Sequence, residues 1–172
     1  MTQRQKSDSM TGKLILFFVR STQGHITKTQ LVKFLYLADL YAIKWMGKQI
    51  TDLEWVYYHH GPWQDEIQAA LDRMDGKEIH QVNCERETVL IQLGAAAPQI
   101  DELGLPESMK LMLDNIRREW AGAGNENLQK LLEYVYETAP MKDVLSRGCR
   151  PEQQQQLNLY KEQEKLRQEL AV

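Results

Sequence analysis

Two histidines stand side by side at His59 and His60, and His80 lies four residues before Cys84. Histidine and cysteine at such a spacing bind a metal when a helix places positions i and i+4 on one face. His80 to Cys84 falls in a stretch of strand-like alternation, where four residues span about 13 Å. No second pair of His or Cys completes a zinc set. Neither a metal site nor a cofactor is expected. Nucleophilic chemistry also lacks its parts. There is no Gly-x-Ser-x-Gly elbow and no glycine-rich phosphate loop, and neither Cys84 nor Cys149 sits in a recognisable nucleophile motif. Carboxylate pairs such as Asp101-Glu102 fall in connectors. No catalytic residue is expected, so the chain reads as a binding protein rather than an enzyme.

Asp39 is the charge with the most unusual surroundings, sitting between Leu35, Tyr36, Leu40 and Ile43 in an apolar helical run. A buried carboxylate must be hydrogen-bonded or paired. One reading bonds Asp39 to a tyrosine or to a backbone amide near Tyr57. The other makes it a polar anchor on a binding face. The first is preferred, and Asp39 is kept among the candidate contacts. An aromatic run follows at Trp55, Tyr57, Tyr58 and Trp63. Tyr and Trp are frequent in binding hot spots and equally at home in cores. Trp55 and Trp63 are expected to pack, and part of Tyr57–His60 to face solvent. The candidate partner-binding residues are Asp39, Tyr57, Tyr58, His59 and His60. Replacing Tyr57 and His59 together by alanine is expected to weaken binding with little change in thermal midpoint.

The elements that hold these residues follow from period and punctuation. Lys13 to Arg20 is a compact apolar run read as a short helix. Thr27 and Gln30 fit a capping box, with Ile26 placed to staple Leu31. Leu31, Phe34, Leu35, Ala38, Ala42 and Trp45 then recur at helical spacing, with Val32, Tyr36, Ile43 and Met46 on another side. A helix apolar on most sides is a central one. Gly47 stops it. Gly61-Pro62 is read as opening a helix from Trp63 to Met74, with Ile67, Ala70, Leu71 and Met74 buried. Ile79–Leu93 alternates as a hairpin around Glu85-Arg86-Glu87. Pro106 opens a helix with Met109, Met112, Leu113, Ile116 and Trp120 inward, ended by Gly122 and Gly124. Asn125 caps another, carrying Leu128, Leu131, Leu132, Val135 and Tyr136. Beyond Pro151 the chain is rich in Gln, Glu and Lys, and Leu159, Gln163, Leu166 and Leu170 follow heptad-like spacing.

The 172 residues fit one domain, and 42% hydrophobic residues suffice for a core. Net charge is −3, which lowers the expectation of an extended phosphate-tracking surface without excluding a local patch. Two cysteines suit a reducing compartment, and the polar N-terminus lacks the apolar stretch of a signal peptide. The longest apolar run, Leu14–Val19, is too short to span a bilayer. A cytoplasmic protein without membrane contact is expected.

The string Leu31-Val32-Lys33-Phe34-Leu35-Tyr36-Leu37-Ala38-Asp39, followed some twenty residues later by Gly61-Pro62-Trp63, resembles the Panacea domain, the SocA-like antitoxin or phage-associated GepA-type family. The likeness extends more loosely to about Leu145. It implies a small, mostly helical domain with a short β-hairpin that binds and neutralises a toxin encoded beside it, and in one kind of member delivers the toxin to a protease. Leu31, Lys33, Leu35, Tyr36, Ala38, Gly61, Pro62 and Trp63 are then family-motif residues with mainly structural duties.

The expected architecture is mostly α with a small antiparallel β-hairpin: a compact single-domain helical bundle with a winged-helix-like order of elements. Residues 1–12 are a leader, 13–147 the Panacea-like domain, and 148–172 a Gln/Glu-rich C-terminal helix. The principal partner is a cognate toxin. A second copy of the chain, through 151–170, and operator DNA are the further partners left open. A DNA-binding regulator is the competing reading, with the helix ending at Met74 in the recognition position.

Overall fold

The structure, a computed structural model, describes residues 9–121 and 125–171. The chain is mostly α-helical with small antiparallel strands, and its backbone contacts divide it into two compact units. The first unit takes residues 1–35 and 65–122, the second 36–64 and 123–172.

The first unit begins with α1 (Met10–Ser21), three residues earlier than the apolar run suggests. Ser9 caps it, accepting from the Gly12 amide at 3.2 Å. All six residues from Leu14 to Val19 are buried, so this helix is surrounded rather than amphipathic. Phe18 meets Phe34 with ring centroids 5.3 Å apart. The expected capping box is present: the Gln30 amide donates to Thr27 Oγ1 at 3.2 Å, and the Thr27 amide donates to Gln30 Oε1 at 3.0 Å. It opens α2 (Lys28–Met46). Ile26 and Thr27 also form a strand that periodicity over two residues cannot reveal. This β1 (Ile26–Thr27) pairs antiparallel with β5 (Val89–Leu93), whose other neighbour is β4 (Ile79–Asn83). Taken by itself, the first unit runs helix, strand, helix, helix and a two-stranded wing, the element order of a winged helix, although two strands of the second unit interrupt the chain before the third helix.

The third helix of that order, α3 (Asp65–Met74), buries Ile67, Ala70, Leu71 and Met74 as its spacing requires. It starts at Asp65, not at Trp63. The α4 helix (Glu107–Trp120) has Leu113 and Ile116 fully inward, with Met109, Met112 and Trp120 half-buried. Gly122 and Gly124, expected to end it, lie outside the described residues, as do residues 1–8 and the side chain of Asn125.

The second unit holds the remainder of α2, the hairpin of β2 (Val56–Tyr58) and β3 (Gly61–Trp63), then α5 (Asn125–Tyr136), α6 (Ala139–Ser146) and α7 (Tyr160–Leu170). Two residues at the end of α2 depart from expectation. Trp45 is 68% exposed and Met46 58% exposed. Helical period says which residues share a face, not how far along the axis that face stays covered. Among the described residues, no helix is long and apolar enough to cross a membrane.

Lys33, on the α2 portion of the first unit, is buried, and loss of hydration pulls its ammonium down to about 7. Between that value and 10.5 the unfolded chain holds a proton that the folded chain has released, so stability rises with pH across this window. At about 1.4 kcal/mol per unit of pH, roughly 3 kcal/mol is gained from pH 7.5 to 10. Urea denaturation of the wild type at these two pH values is expected to show this rise. In Lys33→Met the Lys33 part of the slope should vanish; an unchanged slope in the variant refutes the assignment.

Candidate functional site

Asp39 sits in the middle of α2 with 0% exposure. All its recorded partners donate to it. Its Oδ1 accepts from the backbone amides of Ile50, at 3.1 Å, and Thr51, at 2.9 Å. Its Oδ2 accepts from Gln49 Nε2 at 3.0 Å, from Trp55 Nε1 at 2.9 Å, and from the Thr51 hydroxyl. This is the bonding pattern of an ionised, acceptor-only carboxylate. Burial holds its carboxyl above the ordinary range, and the Thr51, Trp55 and Gln49 donors pull it only part of the way back. The structural reading of Asp39 therefore stands, with donors lying in the loop before Tyr57. A group with no exposed surface is not a contact residue in this structure, which corrects its place among the binding candidates.

The loop from Gly47 to Trp55 is fixed by this carboxylate. It enters from a helix stop at Gly47, where φ is +78° and the amide still donates to Ile43 O at 2.9 Å. It leaves through Trp55, 1% exposed, whose ring meets Tyr36 edge-on at 5.6 Å. The Tyr36 hydroxyl lies 2.8 Å from Thr138 Oγ1, and burial raises the Tyr36 pKa.

The hairpin follows directly. Val56 pairs with Trp63, Tyr57 with Pro62, and Tyr58 with Gly61. Pro62 was expected to open a helix; it lies instead in β3. It is tolerated because it faces Tyr57 at a position whose ladder hydrogen bonds point away from the partner strand. Gly61, at φ +97°, completes the reversal after His59 and His60. The outward amide of Tyr57 donates to Gln155 O at 2.8 Å, and the Leu157 amide donates to Trp55 O at 2.8 Å. Gln154–Leu157 thus adds a third, strand-like edge to β2, with Val56 opposite Gln156.

This alters the expected C-terminal helix over 148–172. The segment is a 3₁₀ turn at Pro151–Gln153, an extended strap, and then α7. Leu157 and Leu159 are buried, so the heptad-like Leu159 is used inside the unit, whereas Leu170 is 75% exposed. Glu162, also buried, accepts from the Ala139 amide at 2.8 Å and so caps α6.

The candidate contacts separate clearly. Tyr57 is 7% exposed and belongs to the core. Tyr58 is half-buried, with its ring 4.3 Å from that of His59. His59 and His60 are exposed at the hairpin tip. Trp55 is packed and Trp63 half-buried. Of the family-motif residues, Leu31, Lys33, Leu35, Tyr36, Ala38, Gly61 and Pro62 are buried. Among the described residues, no three His, Cys, Asp or Glu side chains gather as metal ligands. Sequence reasoning missed the strap, because nothing in a Gln-rich stretch announces strand pairing.

Two stability effects are expected. Asp39→Asn keeps the volume, but both carboxylate oxygens accept, so either amide orientation sets an NH2 against donors. A loss of about 2–4 kcal/mol is expected in chemical denaturation. Tyr57→Ala is expected to lower stability by roughly 3 kcal/mol as a core truncation, in place of the neutral effect first expected. Stability within 0.5 kcal/mol of wild type in either variant would contradict these placements.

A family model described as antitoxin SocA-like, Panacea domain, matches residues 31–140. No curated protein and no solved structure matches the chain. The match covers well over half of the 172 residues and contains both the Asp39 helix and the Gly61-Pro62 hairpin, so the chain belongs to the SocA-like antitoxin family of Panacea domains.

Proposed function

We propose that this protein neutralises a toxin encoded by a neighbouring gene through direct protein–protein contact and performs no catalysis. The observation that carries the reading is the family match over 31–140. The hairpin supports it physically. Tyr58, His59 and His60 project from a base held by Asp39 on one side and by the strap on the other. A recognition tip on a pre-ordered base loses little conformational entropy on binding. Delivery of the bound toxin to a protease is the adaptor form of the same proposal, distinguished by a shortened toxin half-life in cells.

Operator binding is the second reading, favoured by the winged-helix order of the first unit. The charges oppose it. The third helix exposes Asp65, Glu66 and Asp72 beside Arg73, and the wing turns through Glu85, Arg86 and Glu87. Gln68 and Gln81 both donate to Asp72 Oδ1, so this acid stitches the helix to β4. Phosphates meeting that face would be repelled. A gel shift on the protein's own promoter is expected to show no specific band at low or moderate salt. A specific, salt-sensitive band favours the regulator.

Co-expression with the product of the adjacent reading frame tests the main reading. Growth arrest by that product alone, relieved by this protein, is the expected result. A neighbour that is harmless alone, or toxic regardless, overturns it. His59→Ala with His60→Ala is expected to weaken rescue while leaving the thermal midpoint within about 2 °C, since exposed substitutions shift stability little.

A further inference from the structure

The second unit carries an exposed aromatic face remote in sequence from the hairpin tip. Tyr41 and Trp45 are one helical turn apart on α2 and share a side of it. The Tyr41 hydroxyl donates to the Tyr134 hydroxyl at 2.9 Å, which joins α2 to α5 at the surface. Trp45 is 68% exposed and Tyr134 37% exposed. Trp is highly buried on average, so one this open on a helix is unusual. The Lys44 ammonium stands 5.3 Å from the Trp45 ring centroid and restrains the indole. Lys48 follows just past the helix end, and Lys130 lies one turn before Tyr134 on α5. Lys44, Lys48 and Lys130 are the cations along and just past these stretches of α2 and α5; of the acids beside Tyr134, Glu137 is paired with Lys142 at 2.9 Å, which leaves Glu133 as the carboxylate the lysines must outweigh.

We propose that this face, formed by Tyr41, Trp45 and Tyr134 and flanked by Lys44, Lys48 and Lys130, docks an acidic protein segment that carries a bulky apolar side chain. The rings supply the large, stiff contact area from which hot spots are built, and the lysines select for acid and speed encounter. The whole face lies within the family-matched 31–140. A competing feature, an open cleft of about 820 Å³ between Gln49–Trp55 and the strap, draws on Asp143 and Gln155–Lys161, which lie beyond the match. The helix α5 also packs against β3, so one helix carries Tyr134 and supports the hairpin. A nucleic acid fits less well. Glu133 and Glu137 are exposed on α5 on either side of Tyr134, and a continuous phosphate backbone meets them where a short acidic segment need not.

The identity of the partner rests on the antitoxin reading, so the test uses the full chain and the purified product of the adjacent reading frame. Isothermal titration compares wild type, Trp45→Ala, Lys44→Glu with Lys48→Glu, and His59→Ala with His60→Ala. Trp45→Ala and the double lysine reversal are each expected to weaken binding at least tenfold at an unchanged thermal midpoint. The lysine reversal should act mainly through a slower on-rate that high salt abolishes in the wild type. Unchanged affinity in both variants, with binding lost only in the histidine variant, overturns this proposal and leaves the antitoxin reading standing. No binding by the wild type overturns both. Tight binding of a single-stranded 20-mer that Trp45→Ala removes assigns the face to nucleic acid and overturns the protein occupant.

Discussion

A single carboxylate inside a helix fixes the loop that follows that helix, and the hairpin after the loop starts from it. Asp39 draws two backbone amides, a glutamine amide, a hydroxyl and an indole N–H onto its two oxygens. Each donor comes from the stretch Gln49–Trp55, and without the carboxylate the buried amide of Thr51 and the buried indole N–H of Trp55 would lose the acceptor they share. Burial of the charge works against the arrangement, and the donors offset part of that cost. What the interaction secures above all is one path for the loop. That path sets the entry of Trp55 into the core, the start of β2, and hence where His59 and His60 stand.

Much of this was legible in the residues, and the rest was hidden for identifiable reasons. The capping box at Thr27–Gln30, the buried side of Asp65–Met74 and the Ile79–Leu93 hairpin each carry their own local signal, and each is present. Pro62 misled because a proline after a glycine is as compatible with a strand whose amide faces outward as with a helix start. Only the pairing with Tyr57 distinguishes them. Trp45 misled because amphipathic spacing is blind to where the neighbouring elements end. The two-residue β1 and the Gln154–Leu157 strap are made by pairing with distant strands, and composition cannot foretell a partner so far along the chain.

The candidate contacts narrow in the same way. Asp39 and Tyr57 organise the site from below, whereas Tyr58, His59 and His60 remain at its surface. In the sequence they form one polar-aromatic cluster, because adjacency cannot separate the two sides of a strand from the tip of its turn.

The stretch shared with relatives and the stretch that folds are not the same length of chain. The family match stops at residue 140, yet the outer hydrogen bonds of β2 are completed by Gln155 and Leu157, and the first turn of α6 is capped by Glu162. A protein trimmed to the matched ends would expose the rim of its own sheet, with Tyr57 offering an amide to any passing strand. The C-terminal segment therefore closes the hairpin's outer edge: its Gln155 and Leu157 occupy the valence that another strand would otherwise fill.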